Sequence, residues 1–334
     1  MSHKIKIAID AMGGDDSPQK IIDGIEISLK KNDNNFFYLY GDKESVSKSI
    51  SNNNLLKKNC EIIDTKNSIL DDESPLTALK RGKDTSMWKT IEALKDKKAD
   101  ISLSAGNTGA LLVISKLILK TIEGISKPAL AGLWPNQKNM SVVLDLGANI
   151  DCNEKHLSDF ASMGSSLFIS LFENQLPKVA LLNIGSEEIK GNETLKKTYS
   201  ILKDSKIKNY EFSGYIEGNH IMNGDIDVIV TDGFTGNIAL KTAEGTANFI
   251  TKNLKKSLNK LSILLSYNSL KAFKNKLDPR KYNGAILLGL QNPVVKSHGG
   301  TDSVGFAHSI NVCNKIVKGN LIEKIKSNLI TVDE

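Results

Sequence analysis

The chain predicts an α/β fold in which a mostly parallel sheet is covered by helices, and three observations carry that expectation. Short β-rich runs alternate with helical patterns along most of its length, the signature of strands joined through helices. Its 334 residues, 40% of them hydrophobic, are enough to bury a substantial core. Six of the strand-like runs end in turns built from Gly, Asn, Ser, Thr or Asp.

The strands expected, in order, are Lys4–Asp10, Phe36–Tyr40, Ile101–Ser104, Val142–Leu146, Val179–Ile184, Val228–Thr231 and Val294–Ser297. The first carries charges inside its apolar stretch and runs into Gly13-Gly14, so it reads as a strand rather than a signal peptide. Helices are expected over Pro18–Lys30, Trp88–Lys97, Thr108–Lys120, Glu154–Phe172, Glu187–Lys203 and Gly236–Asn259. Asn-rich stretches at 32–35 and 51–54 read as surface turns, too short to link domains. One α/β unit over residues 1–334 is therefore expected, with no internal repeat.

Composition narrows the function classes. No run of about 18 uncharged apolar residues occurs, which argues against a transmembrane span and for a cytoplasmic protein. Cys60, Cys152 and Cys313 are odd in number and widely spaced, so neither a disulfide framework nor a metal site is suggested. The net charge of +6 rests on lysine, with arginine only at Arg81 and Arg280. A lysine excess of this kind is weak evidence for a nucleic-acid partner, and zinc-finger spacing and basic-aromatic interleaving are missing.

The turns after the strands carry the chemical information. They are Asp10-Ala-Met-Gly-Gly-Asp15, Ser104-Ala-Gly-Asn-Thr-Gly109, Asp145-Leu-Gly-Ala-Asn149, Asn183-Ile-Gly-Ser186, Thr231-Asp-Gly-Phe-Thr-Gly-Asn237 and Ser297-His-Gly-Gly-Thr-Asp302. In an open α/β sheet such turns share the carboxyl edge, where ligands bind. Glycine lets a backbone approach a ligand, and each following helix start offers free N–H groups, so phosphate is the natural guest. Gly and Asn also simply cap helices and turn chains, so any single turn carries both readings. Neither G-x-G-x-x-G after a strand nor G-x-x-x-x-G-K-[ST] is present, which disfavours a dinucleotide oxidoreductase or a P-loop NTPase. No G-x-S-x-G elbow or activated cysteine is evident, and direct attack by bound phosphate needs no protein nucleophile.

Among single residues, His298 follows a strand beside Lys296 and two glycines, where it can bind an anion, protonate a leaving group or only hydrogen-bond locally. Asp10, Asp145 and Asp232 end strands, where a carboxylate serves as base or as helix cap. Lys80, Arg81 and Lys83 form a basic cluster that reads either as a solvated turn or as a site for phosphate or an acidic carrier.

Taken together, IAIDAMGGD, the ALKRGKDTSM region, SAGNTGAL, LDLGANIDC, NIGSEEIKGNE, VIVTDGFTGNIALKTAEG and DPRKYNGAILLGL followed by VVKSHGGTD resemble the fatty acyl-acyl carrier protein:phosphate acyltransferase family. The segments span nearly the whole chain in order. The resemblance implies a three-layer α/β/α fold related to phosphotransacetylases and isocitrate-dehydrogenase-like proteins, and a homodimer without metal or nucleotide cofactor. It also implies attack of inorganic phosphate on the thioester of acyl carrier protein, beside a membrane-bound glycerol-phosphate acyltransferase that consumes the acyl phosphate. One departure is Asp16, where family members often carry histidine.

On that basis Asn107, Asp232, Lys296 and His298 are the catalytic candidates. Phosphate and substrate are assigned to Asp10, Gly13, Gly14, Ser104, Gly106, Thr108, Gly109, Asn149, Asn183, Gly233, Thr235 and Asn237. Two other readings stay open, a phosphotransacetylase-like enzyme using coenzyme A thioesters and a non-catalytic, ligand-sensing regulator of lipid synthesis. Residues 250–280 read as a pair of amphipathic helices, with apolar spacing at Ile250, Leu254, Leu258, Leu261 and Leu265 and again at Leu270, Phe273 and Leu277. Lysines surround an apolar tip at Ile263, Leu264 and Leu265, so peripheral docking on an anionic membrane surface is expected. The same stripe is also suited to packing in the core or between subunits.

Overall fold

Among the described residues, eleven strands form one sheet in the order β3-β2-β1-β4-β11-β10-β5-β6-β9-β7-β8. The computed structural model describes residues 4–51, 53–172, 176–205, 209–257 and 278–329, with 266, 268, 270 and 271 between the last two. The strands are β1 (Ile5–Asp10), β2 (Asn35–Gly41), β3 (Cys60–Asp64), β4 (Ile101–Ser104), β5 (Ala129–Pro135), β6 (Met140–Leu144), β7 (Lys178–Asn183), β8 (Glu211–Glu217), β9 (Val228–Val230), β10 (Ala285–Leu288) and β11 (Val294–Lys296). The helices used below are α1 (Gln19–Lys31), α2 (Lys43–Ile50), α3 (Asn54–Asn59), α4 (Pro75–Arg81), α5 (Ser86–Lys95), α6 (Thr108–Leu119), α7 (Glu154–Phe172), α8 (Glu193–Asp204), α9 (Gly233–Ser257), α10 (Ser303–Lys318) and α11 (Leu321–Asn328).

Side-chain alternation along β1 shows how the layers arise. Ile5, Ile7 and Ile9 join one core with Ile21, Ile22 and Ile25 of α1, Phe160 of α7 and Phe306 and Ile310 of α10. Ala8, between them, faces the opposite core with Met87, Trp88 and Ile91 of α5 and Leu111 and Ile114 of α6. A strand with both faces covered belongs to the middle layer of three. Further along the sheet, Val143, Ala180, Leu182 and Ile229 pack with half-buried Ala239, Leu240 and Ala243 of α9. Each fully buried Ile or Phe contributes roughly 1.5–3 kcal/mol by leaving water. Packing of α1 on α10 is close enough that a Cβ at Gly24 would lie 2.9 Å from Phe306.

The direction of the strands changes the reading of the turns. β3, β2, β1, β4 and β11 pair in parallel, as do β6, β9, β7 and β8. Between the two sets lie three antiparallel pairings, β11 with β10, β10 with β5 and β5 with β6. An odd number of reversals leaves the two halves running oppositely. The six turns therefore do not share one carboxyl edge, contrary to the expectation from an open parallel sheet. Those of Asp10, Ser104 and Ser297 gather at one edge, and those of Asp145, Asn183 and Thr231 at the other.

Local chemistry explains the remaining differences. β3, β5, β8 and β10 were not expected, since β3 and β8 lie at the sheet ends with mixed polar sequences and β5 contains Gly132 and Pro135. The helix expected from Glu187 begins at Glu193, because Gly191 holds φ +92 and Asn192 accepts the N–H of Leu195 as cap. α9 begins at Gly233 rather than Gly236, capped by Asp232. Within 250–280, α9 is described to Ser257, and the Ile263, Leu264 and Leu265 tip lies outside the described residues. Among the described residues, no helix is long and apolar enough to cross a membrane.

Candidate active site

At the first edge three turns meet backbone to backbone. A Cβ at Gly13 would stand 2.5 Å from the Gly106 nitrogen and 2.8 Å from Asp10 Oδ2, so glycine is required where these turns cross. Gly14, at φ +80, lies against the carbonyls of Gly299 and Ala105. Asp10 ends β1 buried, accepts from Ser104 Oγ at 2.8 Å, and Ser104 Oγ in turn accepts from Gly106 N at 3.1 Å. Burial raises the Asp10 carboxyl above its ordinary value, against the pull of its hydrogen bonds and of Lys296.

Two buried lysines point at this edge. Lys296, 8% exposed at the end of β11, donates to the carbonyls of Ala105 and Ser297. Burial lowers it to about 8, while the charges of Asp71 and Asp10 oppose that shift. Lys20, 7% exposed on α1, donates to Gly299 O at 2.5 Å. Burial lowers it too, opposed by Asp15, Asp16 and Asp71. Cations anchored only on carbonyl oxygens keep their charge unneutralised by a direct ion pair, which suits an arriving anion. Beside them, the N–H groups of Thr108 and Gly109 in the first turn of α6 have no protein acceptor among the described residues.

His298 is held by its backbone, which donates to Asn283 Oδ1 at 2.9 Å, while Asn283 Nδ2 donates to Ser297 Oγ and Gly305 O. Its Nδ1 accepts from Gly300 N at 3.1 Å, which places the proton of the neutral ring on Nε2. Burial and then Lys296 hold the imidazole below its usual value. The charge of Glu244 raises it and that of Lys241 lowers it further, both weaker than burial.

Both ends of the Asn107 amide are engaged. Its Oδ1 caps α6 by accepting from Ala110 N at 2.9 Å, and its Nδ2 donates to the carbonyls of Asp71 at 2.8 Å and Glu73 at 2.9 Å. It clasps the 70–73 loop, and with it Asp71, against the glycine turns. Arg81 of the basic cluster binds Glu73 at 3.0 Å, and Lys80 and Lys83 are exposed.

At the second edge the candidate side chains are engaged in building the turns. Asp145 accepts from the nitrogens of Leu130, Gly147, Ala148 and Asn149 and from Asn149 Nδ2. Asn149 Nδ2 also donates to Pro128 O, and its carbonyl accepts from Gly233 N. Asp232 accepts from the N–H and hydroxyl of Thr235, Asn237 donates to Leu146 O, and Asn183 holds Ile184 N and Lys190 O. The structure thus brings together Asp10, Gly13, Gly14, Ser104, Gly106, Thr108, Gly109, Lys296 and His298. Asn149, Asn183, Asp232, Gly233, Thr235 and Asn237 form a separate group. Lys20, Asp71 and Asn283 were missed by sequence reasoning, because a lysine inside a helix, an acid in a polar loop and an asparagine before a strand carry no local signature.

Comparison with known proteins agrees in fold and chemistry. Residues 5–324 match the profile of a family described as a fatty acid synthesis protein. A phosphate acyltransferase of Pelagibacter ubique (strain HTCC1062) is 62% identical over 98% of this chain and 100% of its own. Another, of Afipia carboxidovorans, is 42% identical over 97% of this chain and 94% of its own. Among solved structures, the EutD phosphotransacetylase of Staphylococcus aureus superposes with a TM-score of 0.62 at 16% identity, covering 95% of this chain and 94% of that one. A 4-hydroxythreonine-4-phosphate dehydrogenase of Klebsiella pneumoniae reaches 0.51 at 13% identity, covering 95% and 99%. At such identity the solved structures establish the fold alone.

Proposed function

The chain belongs to the phosphate acyltransferase family, and we propose that it moves a long-chain fatty acyl group from the thioester of acyl carrier protein to inorganic phosphate, making acyl phosphate for phospholipid synthesis. Family membership makes it an acyltransferase acting on phosphate, against the reading as a non-catalytic regulator. The observation that best supports a phosphate site is the convergence of buried Lys296 and Lys20 with the open N–H groups of α6.

In this reading Lys296, Lys20 and the Thr108 and Gly109 amides hold hydrogen phosphate beside the thioester carbonyl. Fixing a multiply charged nucleophile there removes much of the entropic barrier. A phosphate oxygen attacks the carbonyl carbon, an amide donor stabilises the oxyanion, and the carbon–sulfur bond breaks. The phosphate proton ends on the departing sulfur, giving acyl phosphate and the carrier thiol. With a thiol pKa near 8.5, the leaving group needs modest help, which a hydrogen bond from His298 Nε2 supplies. The molecule works as a homodimer, docks on an anionic membrane through its 250–280 segment and hands its product to a membrane-bound glycerol-phosphate acyltransferase.

The test is direct. Purified protein incubated with palmitoyl-acyl carrier protein and phosphate is expected to yield palmitoyl phosphate, and acetyl-coenzyme A to be a poor substitute. No thioester consumption above the enzyme-free control overturns the reading, and preference for acetyl-coenzyme A transfers it to the phosphotransacetylase-like alternative.

A further inference from the structure

The space in front of Gly299 is bounded by groups of opposite charge. A Cβ there would lie 3.3 Å from the Ala105 carbonyl oxygen, which anchors Lys296, and 3.7 Å from Asp71 Oδ2. The Gly299 carbonyl in turn anchors Lys20, and it would stand 2.9 Å from a Cβ at Gly14. One acid and both buried lysines are thus grouped around the same glycine turns, yet among the described residues neither lysine forms an ion pair and the Asp71 carboxylate accepts no hydrogen bond. The main chain of Asp71 is fixed, because Asn107 Nδ2 at the start of α6 donates to its carbonyl at 2.8 Å and to that of Glu73 at 2.9 Å. The same loop also touches the first turn of α6 at Gly109, where a Cβ would meet Pro75 Cγ at 2.8 Å. Asp71 itself is exposed, so its carboxylate stands on the solvent side of Gly299.

A carboxylate beside an anion site repels the guest that the lysines and the α6 amides attract. The protons of the guest supply the reason for it. Hydrogen phosphate and sulfate share shape and charge, but only phosphate carries a hydroxyl at neutral pH. Lysines and amide N–H groups are donors alone and treat the two anions alike. A carboxylate accepts a short, charge-assisted hydrogen bond from a P–OH group, and on sulfate it meets only lone pairs. We propose that Asp71 is the specificity-determining residue of the phosphate site, accepting the hydroxyl of hydrogen phosphate and turning sulfate away. The proposal rests on the phosphate site proposed above. A second acid flanks the same turn, since Asp15 Oδ2 lies 3.5 Å from a Cβ at Gly300, but it does so beside the His298 ring, whose Cε1 is 3.6 Å from that point. Asp71, tied through Asn107 to the helix whose amides are open, is the acid on the phosphate side.

Inorganic phosphate and sulfate are titrated calorimetrically into full-length wild type, Asp71→Asn, Asp71→Ala and Asp15→Asn at neutral pH and matched ionic strength. Wild type is expected to prefer phosphate by roughly 100-fold, less than a fully buried acceptor achieves because Asp71 is exposed. In both Asp71 variants the preference is expected to fall below about tenfold through tighter sulfate binding, since an asparagine amide both donates and accepts and alanine does neither. Asp15→Asn is expected to keep the wild-type preference. Sulfate should also inhibit thioester consumption by Asp71→Asn at concentrations that leave wild type unaffected. Equal binding of the two anions by wild type overturns the proposal, as does transfer of the effect to Asp15→Asn. A loop contact that is merely structural would weaken both anions together and leave their ratio unchanged, and that result in both Asp71 variants overturns it too. Wild type that selects phosphate yet consumes no thioester defeats the proposed reaction instead and leaves the selectivity standing.

Discussion

The side-chain nitrogen of Asn107 lies 2.8 Å from the backbone carbonyl of Asp71, tying the start of α6 to a loop whose acid bears on both buried lysines. One asparagine thereby caps a helix and holds the loop that carries Asp71 beside the proposed phosphate site. Asn107→Ala is expected to cost about 1 kcal/mol through the cap and about tenfold or more in kcat/KM through the displaced loop. Asn107→Asp keeps the capping acceptor but not the donor, so it should recover stability and not activity. Urea melts and phosphate-dependence curves separate the effects, and full activity in Asn107→Asp would remove the loop from the mechanism.

Lys296→Ala should raise the phosphate KM more than His298→Ala does, because lysine is a cation at pH 7 while the imidazole is held neutral. Since burial brings Lys296 to about 8, phosphate affinity of the wild type should weaken as pH rises through that value. Stability runs the other way. The unfolded lysine keeps its proton to higher pH than the folded one, so the burial penalty is fully present below about 8 and is relieved between there and the ordinary lysine value of 10.5. A phosphate KM in Lys296→Ala equal to wild type would count against the anion-binding role.

Two glycines should respond oppositely to alanine. At Gly13 the new Cβ would meet the Gly106 nitrogen at 2.5 Å, backbone against backbone, so the three turns must separate and phosphate binding should be lost. At Gly245, inside exposed α9, nothing lies within 4 Å, and alanine should stabilise the helix by about 0.5–1 kcal/mol. Thermal melts with phosphate titrations check both.

Asp145→Asn should be destabilising by roughly 2–3 kcal/mol, because an amide oxygen replaces a carboxylate that gathers five donors, leaving at least one of them unpaired. The loss should appear in the urea midpoint. A variant as stable as wild type but inactive would instead make Asp145 a participant in the reaction.

Leu264→Glu and Leu265→Glu should weaken sedimentation with anionic liposomes at low salt, since each places a charge in the proposed apolar tip. Equal binding by both variants and wild type would discard the tip. Binding by none would discard the membrane role of the whole segment.

The sequence by itself determined the class of fold, the main strands and the residues of each turn, because alternation, helical spacing and Gly-rich strand ends are local signals. β1 with Asp10-Ala-Met-Gly-Gly-Asp15 and β4 with Ser104-Ala-Gly-Asn-Thr-Gly109 were legible for that reason. Only the tertiary structure decided which turns meet. The sense of a strand is set by its pairing partners, and the antiparallel β10 and β5 reverse the sheet between its halves, separating Asp10, Ser104 and His298 from Asp145, Asn183 and Asp232. Tertiary packing likewise turned Lys20 from a helix lysine into a second buried cation, and gave the Asn107 amide a loop to hold. Burial and long-range hydrogen bonds join residues distant along the chain, and no local pattern of residue types encodes them.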